Sequence, residues 1–254
     1  MTMMQIRNIG VSVLKGGRHT PAQRVDLRSD GPVDDRVFAV VDLAAGRVLK
    51  TVDNPSLVGC EAHWQAGELV VEVVGQQLAA TPGTDGRRVT LDYWGRAVTM
   101  TVVDGPWAPA LSRLLGRGVA LARIEAPGGV VYGDTVALVS TGSLERLALE
   151  SGIPVDSRRF RSTFTIDTGD ADAHTEDFWN GRKLEVGGAT LLVGAGIPRC
   201  AVIDLDPDTG DRGSNLLKTL GGYRLEAGEI NFGVYARVVR PGVVSVGDHV
   251  RLAP

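Results

Sequence analysis

The sequence is poor in cysteine: its 254 residues include only two, Cys60 and Cys200. Two cysteines do not make a disulfide framework, and their separation rules out a Cys-x-x-Cys metal knuckle. They also exclude an iron–sulfur cluster, because such clusters are held by several thiolates. Any chemistry that depends on cysteine is therefore expected to depend on a single thiol.

Long apolar runs and an excess of charge of either sign are also missing. No apolar stretch approaches the roughly 18 residues that cross a bilayer, and the first ten residues lack the basic and apolar segments of a secretory signal. The 27 basic and 30 acidic residues are nearly balanced, so no general attraction to nucleic acid or anionic lipid is expected. These absences predict a cytoplasmic protein without nucleic-acid or membrane partners.

Common metal and cofactor signatures are absent as well. The four histidines are isolated in the sequence, and no two have the i, i+4 spacing of a helical metal site. Gly194-Ala-Gly196 lacks the third glycine of a dinucleotide fingerprint, and Gly128-Gly129 lacks the Lys-Ser/Thr of a P-loop. Without a flavin or nicotinamide signature, a redox reaction here would need electrons from a separate reductase.

Most of the chain consists of short stretches in which apolar and polar residues alternate between Gly, Pro or Asp turns, a pattern typical of strands. Three hairpins are predicted: residues 89–102 about Trp94-Gly95, residues 37–49 about Ala45-Gly46, and residues 231–252 about Pro241-Gly242. Helical patterns are few, at 106–115, 143–150 and 214–220, the last ending at Gly221-Gly222. The sequence predicts a mainly β fold with curled sheets and a few short helices.

The length allows one large domain or two small ones. The best candidate boundary is the Ala126-Pro-Gly-Gly129 stretch, which divides the chain into two parts of about equal size. We therefore expect two closely packed strand-rich regions, residues 1–126 and 127–254.

Cys200 is the leading candidate for chemistry. It ends an apolar segment that begins at Leu191 and runs into Gly, Pro and then Arg199, whose guanidinium favours the reactive thiolate form. The alternative is that Cys200 is a small buried hydrophobic residue, as many lone cysteines are. Cys60 has no neighbouring base or cation in the sequence, so core packing is its expected role.

Three short segments could place cations at an anionic ligand. Arg158-Arg159-Phe160-Arg161 concentrates three guanidiniums before a predicted strand, and guanidinium groups suit phosphate and carbonyl-rich ligands. Lys15-Gly16-Gly17-Arg18 follows a strand and offers a cation beside free backbone N–H groups, and Asp34-Asp35-Arg36 could add another arginine. The alternative for each is a solvated charged face.

Taken in order, these pieces resemble the MOSC family, named for the C-terminal domain of molybdenum cofactor sulfurases, preceded by an N-terminal β-barrel region. The most specific stretch is Arg199-Cys200 followed by Asp206-Pro-Asp-Thr-Gly210, which resembles the amidoxime-reducing component and its bacterial relatives. The other motifs that carry the resemblance are Lys15, Asp35-Arg36, Ser143-Leu144, Arg159-Phe160-Arg161, Trp179-x-Gly181, Tyr223-Arg224, Phe232-Gly-Val-Tyr235 and Gly247-Asp248.

The resemblance implies a β-barrel fold with a molybdenum cofactor, a molybdopterin, bound between the two regions. It implies that Cys200 ligates the molybdenum through sulfur and is the catalytic residue. The residues implied to hold the pterin and its phosphate are Lys15, Arg36, Ser143 and Arg161, and the same motifs add Arg159, Thr163 and Arg199. The implied activity is reduction of an N- or S-oxygenated small molecule by oxygen-atom transfer, with electrons from a separate reductase.

Three positions depart from the family pattern. Gly16 stands where a hydroxyl donor is frequent, Val52 where an arginine is expected, and Thr163 where an asparagine is expected. The first two replacements remove polar groups and favour a second hypothesis, in which Cys200 works without metal as a persulfide carrier or nucleophile. A third hypothesis is a non-catalytic protein that binds the cofactor or a phosphorylated ligand.

Overall fold

The computed structural model describes residues 4–84 and 86–253, and strands make up most of their regular structure. The mainly β fold predicted from the sequence is confirmed. Within the described residues the α-helices are Trp107–Leu115, Thr141–Ser151 and Leu216–Arg224. No helix in this part of the chain has the length and apolarity needed to cross a membrane.

The larger of two closed barrels lies mainly in the C-terminal half of the chain. Its sheet closes because Val136–Ser140 pairs with Glu229–Arg240, and Thr20–Ala22 pairs at the side with the first strand. In spatial order its strands are Val136–Ser140, Phe164–Asp167, Met4–Val11, His249–Leu252, Lys183–Val186, Ala189–Pro198, Glu229–Arg240 and Leu225–Glu226.

A smaller barrel is built from the N-terminal half. It closes where Ala120–Ile124 pairs with Phe38–Asp42. In spatial order its strands are Ala120–Ile124, Arg96–Val103, Arg88–Tyr93, Arg47–Val48, Phe38–Asp42 and Leu14–Lys15.

Two three-stranded sheets flank the barrels. One is the meander Glu61–Gln65, Glu68–Val73 and Gln76–Ala80; the other joins Gly242–Ser245, Arg24–Arg28 and Gly31–Pro32. Alternate residues of Arg24–Arg28 and of Glu68–Val73 are buried, as expected for strands with one face on a core. Short 3-10 turns occur at Pro55–Gly59, Ser157–Phe160, Thr175–Trp179 and Ala201–Asp204.

Each barrel encloses its own apolar core. The larger core contains Ile6, Phe164, Leu191 and Val234, and the smaller contains Ala39, Met100 and Ala122, all essentially inaccessible to solvent. At about 25 cal/mol for each Å² of apolar surface removed from water, such side chains supply most of the favourable free energy of folding. Ile6 belongs to the first strand, so the core of the larger barrel needs both ends of the chain.

Two of the three predicted hairpins are confirmed. Arg88–Tyr93 pairs with Arg96–Val103, and Val41 pairs with Val48 in the hairpin about Ala45-Gly46. The third is wrong, because Glu229–Arg240 pairs mainly with Ala189–Pro198, while Gly242–Ser245 pairs with Arg24–Arg28. Pro241 and Gly242 therefore mark a change of sheet rather than a hairpin turn.

The helices also follow the sequence, with one difference. Gly116 and Gly152 end the first two helices in the left-handed conformation, at φ 65° and 70°, as helix-ending glycines do. The third helix continues through Gly221-Gly222 to Arg224. A Cβ on Gly221 would lie 3.3 Å from Ile230 Cδ1, so this glycine serves close packing of the helix on strand Glu229–Arg240.

Candidate functional site

A cavity of about 340 Å³ opens between the two barrels. Residues 15–16, 36, 50–52 and 93–94 of the N-terminal half line one side, and residues 130–137, 159–161, 197–203 and 235 of the C-terminal half line the other, with gaps. Six of the predicted site residues meet on its wall: Lys15, Arg36, Arg159, Arg161, Arg199 and Cys200. These six residues come from four separate segments of the sequence, and the fold brings the segments together.

Positive charge dominates the wall of this cavity. Its cations are Lys15, Arg36, Lys50, Arg159, Arg161 and Arg199, and within the described residues the one lining carboxylate is that of Asp134. Cations gathered in a partly enclosed space attract anions strongly, because the local dielectric is lower than that of water. The cavity therefore suits a ligand with several negative charges.

Lys15 ends a two-residue strand of the smaller barrel, and its side chain is almost fully buried. Its ammonium donates to the Leu49 carbonyl at 3.1 Å and lies 5.2 Å from the centroid of the Tyr93 ring. Burial, and after it the charges of Arg161 and Arg36, lower the pKa of Lys15 to about 7. An anion bound beside Lys15 would restore its usual charge.

Arg161 spans the two halves of the molecule. It follows the turn Ser157–Phe160 in the left-handed conformation, at φ 51°. Its Nη1 donates to the Gly17 carbonyl at 2.7 Å and its Nη2 to the Ser12 hydroxyl at 2.8 Å. Burial and the charge of Arg36 lower the pKa of Arg161 to about 10, so it remains a cation at neutral pH.

Arg36 is held beside its own neighbour. Its Nη1 donates to Asp35 Oδ2, while Asp35 Oδ1 accepts the backbone N–H of Ser12 at 2.8 Å. Arg36 is itself in the left-handed region, at φ 52°. The ion pair directs one nitrogen to Asp35 and leaves the rest of the guanidinium at the cavity.

Arg199 and Arg159 carry nitrogens without a partner. Arg199 donates to the carbonyls of Phe232 and Phe160, each at 2.8 Å, and its buried Nη2 has no hydrogen bond in the described structure. Arg159 donates to the Leu205 carbonyl, and its buried Nε is likewise unpaired. Burial lowers the pKa of Arg199 to about 10. Because buried N–H groups are normally satisfied, such donors indicate a missing acceptor.

Cys200 is exposed, whereas Cys60 is buried in the core of the N-terminal half. Cys200 lies two residues beyond the end of strand Ala189–Pro198 and precedes the turn Ala201–Asp204. Burial raises the pKa of the Cys60 thiol to about 11, which makes it unreactive. The expected packing role of Cys60 is confirmed, and the buried alternative for Cys200 is wrong.

Two of the predicted cofactor residues do not reach the cavity. Ser143 is fully buried at the start of helix Thr141–Ser151, where its hydroxyl donates to Glu176 Oε1 at 2.7 Å and accepts the His174 N–H at 2.9 Å. The Thr163 hydroxyl accepts the Ala137 N–H at 3.2 Å. Both side chains hold elements behind the cavity wall.

Two of the positions that depart from the family pattern do lie on the wall, at Gly16 and Val52. Gly16 has a φ of 84°, and a Cβ there would stand 2.9 Å from the hydroxyl oxygen of Thr51. The backbone conformation and Thr51 together therefore favour glycine at position 16. Val52 presents an apolar side chain to the ligand space.

Sequence reasoning missed several residues of the wall, among them Lys50, Asp134, Tyr93 and Tyr235. Burial raises the pKa of both tyrosines, opposed mainly by Arg36 at Tyr93 and by Arg199 at Tyr235. Tyr235 belongs to Phe232-Gly-Val-Tyr235, one of the motifs that carried the resemblance, and that motif was a signal in the sequence that could have identified it. No sequence signal pointed to Lys50 or Asp134, because they are isolated charges far apart in the sequence.

Fold and site define a two-barrel β protein with a cationic ligand cavity and a surface thiol on its wall. Residues 128–251, in the C-terminal half, match the MOSC domain, which confirms the resemblance predicted from the sequence. The match covers the strands of the larger barrel from Val136–Ser140 onward and the segment with Arg159, Arg161, Arg199 and Cys200.

The relatives with similar sequences include molybdenum cofactor sulfurases and an amidoxime reducing component. The chain is 36% identical over 84 residues to a molybdenum cofactor sulfurase from Oryza sativa subsp. japonica, covering 32% of this chain and 10% of the relative. It is 34% identical over 133 residues to the mitochondrial amidoxime reducing component 2 from Bos taurus, covering 48% of this chain and 38% of the relative. The chain thus matches about a tenth of the sulfurase and well under half of the bovine protein.

A solved structure similar to this chain is that of the YUAD protein from Bacillus subtilis. The two share 11% sequence identity at a TM-score of 0.47, over 98% of this chain and 94% of that chain.

Proposed function

We propose that this protein binds a molybdenum cofactor in the cavity and uses it to reduce an N- or S-oxygenated small molecule by oxygen-atom transfer. The observation that carries the proposal is the convergence of six cations and the exposed thiol of Cys200 on one cavity wall. A phosphorylated pterin that bears a metal needs both features. Relatives named for this cofactor or for amidoxime reduction support the proposal.

The residues present fit such a group. Lys15, Arg36 and Arg161 would hold its phosphate, because cations buried at this depth are stabilised by a neighbouring anion. The unpaired Arg199 Nη2 and Arg159 Nε would donate to its polar edge. Among the described residues, Cys200 supplies the one soft sulfur donor on the wall, and soft ligands suit a metal of this kind.

These contacts indicate which tasks the cofactor would perform in the cavity and which the protein's own residues would perform. When bound, the cofactor supplies the two-electron oxygen-atom transfer. The protein's own residues bind and orient: Arg161 fixes the two halves of the wall through Gly17 and Ser12, and Val130, Val131 and Val202 give an apolar surface from which water is displaced. A separate reductase would supply the electrons.

A second function is favoured by specific observations. Gly16 and Val52 place no polar side chain on the wall, and Cys200 is open to solvent, as a thiol that accepts and passes on sulfur must be. The sulfurase relative is consistent with this. In that case Cys200 would work without metal, as a persulfide or nucleophile.

Metal and pterin analysis of protein expressed with molybdate tests the first function. We expect about one molybdenum and one pterin per chain in the wild type and loss of the molybdenum in Cys200→Ser. Cys60→Ala is the matched control, since Cys60 is buried in the core and is not among the residues that line the cavity, and it should retain both.

The alternatives predict different results in the same experiment. Metal-free wild type that still consumes a sulfur donor through Cys200 would replace the first function by the second. Retention of pterin in both forms without turnover of any oxygenated substrate would instead indicate a binding protein.

A further inference from the structure

Two aromatic rings and a lysine form a rim on the wall of the cavity, which we call the aromatic rim: Trp94, Tyr132 and Lys50. Trp94 is 47% exposed and Tyr132 is 58% exposed. Their rings meet edge to face, with centroids 5.8 Å apart and planes at 80°. The Lys50 ammonium lies 3.7 Å from the centroid of the Trp94 ring. Large rings this exposed have little to do with the core, so their role is expected outside it.

The backbone at Trp94 makes the choice of tryptophan unusual. Trp94 and Gly95, at φ 56° and 77°, connect strands Arg88–Tyr93 and Arg96–Val103. Two-residue hairpin loops with positive φ at both positions favour Asn-Gly, and a bulky residue in this region is disfavoured. Val74-Gly75 makes a loop of the same kind between two strands of the meander, away from the cavity lining. A bulky residue at this turn position thus also occurs away from the cavity, so the role of Trp94 is inferred from its ring contacts and its place on the cavity wall.

The rim is continuous with the ligand space. Tyr132 follows Val130 and Val131, which also line the cavity, so the rim is continuous with apolar residues of the cavity wall. The contacts with Lys50 and Tyr132 hold the Trp94 ring in place, and a ring that is already ordered loses less entropy when it binds a ligand. The buried cations Lys15 and Arg161 line the same cavity and suit the anionic part of a ligand.

We propose that the aromatic rim selects substrates with a planar aromatic or heteroaromatic ring, which packs against Trp94 and Tyr132 while the oxygenated group extends into the cavity. This inference rests on the proposed reductase function for its chemistry. Its physical basis is the preference of aromatic rings for stacked and edge-to-face contacts with other rings over contacts with saturated groups.

The test compares two ligands that share a polar group and a carbon count: an aryl N-hydroxyamidine and its cyclohexyl analogue. Calorimetry on the cofactor-loaded protein gives the Kd of each, and turnover gives KM and kcat. We expect the wild type to favour the aryl compound about five- to tenfold in Kd and KM, within the range of roughly two- to thirteenfold expected for one aromatic pair. Trp94→Asn should reduce that preference below about twofold.

Trp94→Asn is expected to fold normally, because asparagine suits the left-handed position better than tryptophan. Val74→Asn is the matched control: it makes the same turn improvement away from the cavity and should keep the wild-type preference. Tyr132→Leu should lose part of the preference.

Each outcome separates the two proposals. Equal binding of both ligands by the wild type, or an unchanged preference in Trp94→Asn, would overturn the role of the rim while turnover of either ligand leaves the reductase function standing. Loss of bound pterin in Trp94→Asn would also overturn it, since the rim would then hold the cofactor. Preference for the aryl compound without turnover would support the rim and count against the reductase.

Discussion

At the scale of single residues, the cavity wall carries charged side chains whose burial is unfavourable in free energy as long as no ligand is bound. Lys15 is buried among other cations, and its pKa of about 7 reflects loss of hydration and repulsion by Arg161 and Arg36. Arg199 and Arg159 keep unpaired buried nitrogens. Such arrangements are typical of binding sites, where the ligand later supplies the missing partner.

The charge state of Lys15 leads to a pH dependence of anion binding. Below pH 7 Lys15 is already protonated and sulfate should bind most tightly; above pH 7 binding requires proton uptake, so affinity should fall by up to about tenfold per pH unit until the pKa of the bound form is reached. Calorimetry with sulfate, whose charge is constant over pH 6–9, measures this. Lys15→Met should bind weakly at every pH, and the same pH profile in that variant would contradict the assignment.

Gly16 provides a second test at this scale, because the family pattern frequently has a hydroxyl residue there. Gly16→Ser should lower the free energy of unfolding by about 2–3 kcal/mol, from the left-handed backbone and from the 2.9 Å approach to Thr51. Gly75→Ser has a similar φ, 73°, and an open surrounding, so it should lose only about 1 kcal/mol. Equal losses of unfolding free energy in the two variants, measured by urea unfolding, would show that the Thr51 side chain moves aside without a measurable loss of stability.

At the scale of elements, the loop that follows Cys200 is fastened to the N-terminal half. Asp206 Oδ1 accepts the N–H groups of Asp208 and Thr209, at 2.9 and 3.0 Å, which shapes the turn. Arg18 then donates to the Asp208 carbonyl at 2.9 Å. The motif that looked specific in the sequence therefore serves as a structural link between the barrels on the side of Cys200.

Gly210 sets how closely this loop approaches the turn Pro55–Gly59. Its φ is 82°, and a Cβ would stand 2.1 Å from the Pro55 carbonyl oxygen, a contact that neither backbone can relieve locally. Gly210→Ala should lose more than about 3 kcal/mol of unfolding free energy in urea. Gly213→Ala, with no atom within 4 Å of the added carbon, should stay within about 0.5 kcal/mol of wild type. Similar values for the two would show that the loop is free to move.

At the scale of the whole molecule, the two strand-rich regions share their parts. The first strand, Met4–Val11, pairs with Phe164–Asp167 and with His249–Leu252 in the larger barrel. The buried His19 ring contacts the Ser162 carbonyl at 2.9 Å, and Arg161 contacts Gly17 and Ser12. The division at residue 126 predicted from the sequence stays a prediction, and these contacts determine how it can be tested.

We expect residues 127–254 alone to remain unfolded, because the larger barrel would lack its first strand and the side chains of Ile6 and Ile9 in its core. Co-expression with residues 1–126 should restore a folded complex, since the cut lies in the loop at Ala126-Pro127 outside the strands. Circular dichroism and co-purification are the measurements. A folded, monomeric 127–254 fragment would show that the C-terminal half is independent of the first strand.

Local patterns in the sequence were sufficient for the strands, two hairpins and the ends of two helices, because alternation and left-handed glycines act over a few residues. They failed at Pro241-Gly242 and at Gly221-Gly222, where a partner distant in sequence decided the outcome. Strand Glu229–Arg240 pairs with Ala189–Pro198, and Gly221 packs closely against the Ile230 side chain, where a Cβ would lie 3.3 Å from Ile230 Cδ1.

The candidate site was likewise only partly predictable from local patterns in the sequence. Motif order alone identified the family and put Cys200, Lys15 and four arginines forward as site residues, because those residues recur in recognisable segments. Only the tertiary structure showed that these residues share one cavity, that Ser143 and Thr163 do not line it, and that Lys50 and Trp94 belong to it. Closing two barrels against each other brings together residues more than a hundred positions apart, and no local pattern encodes which of them will meet.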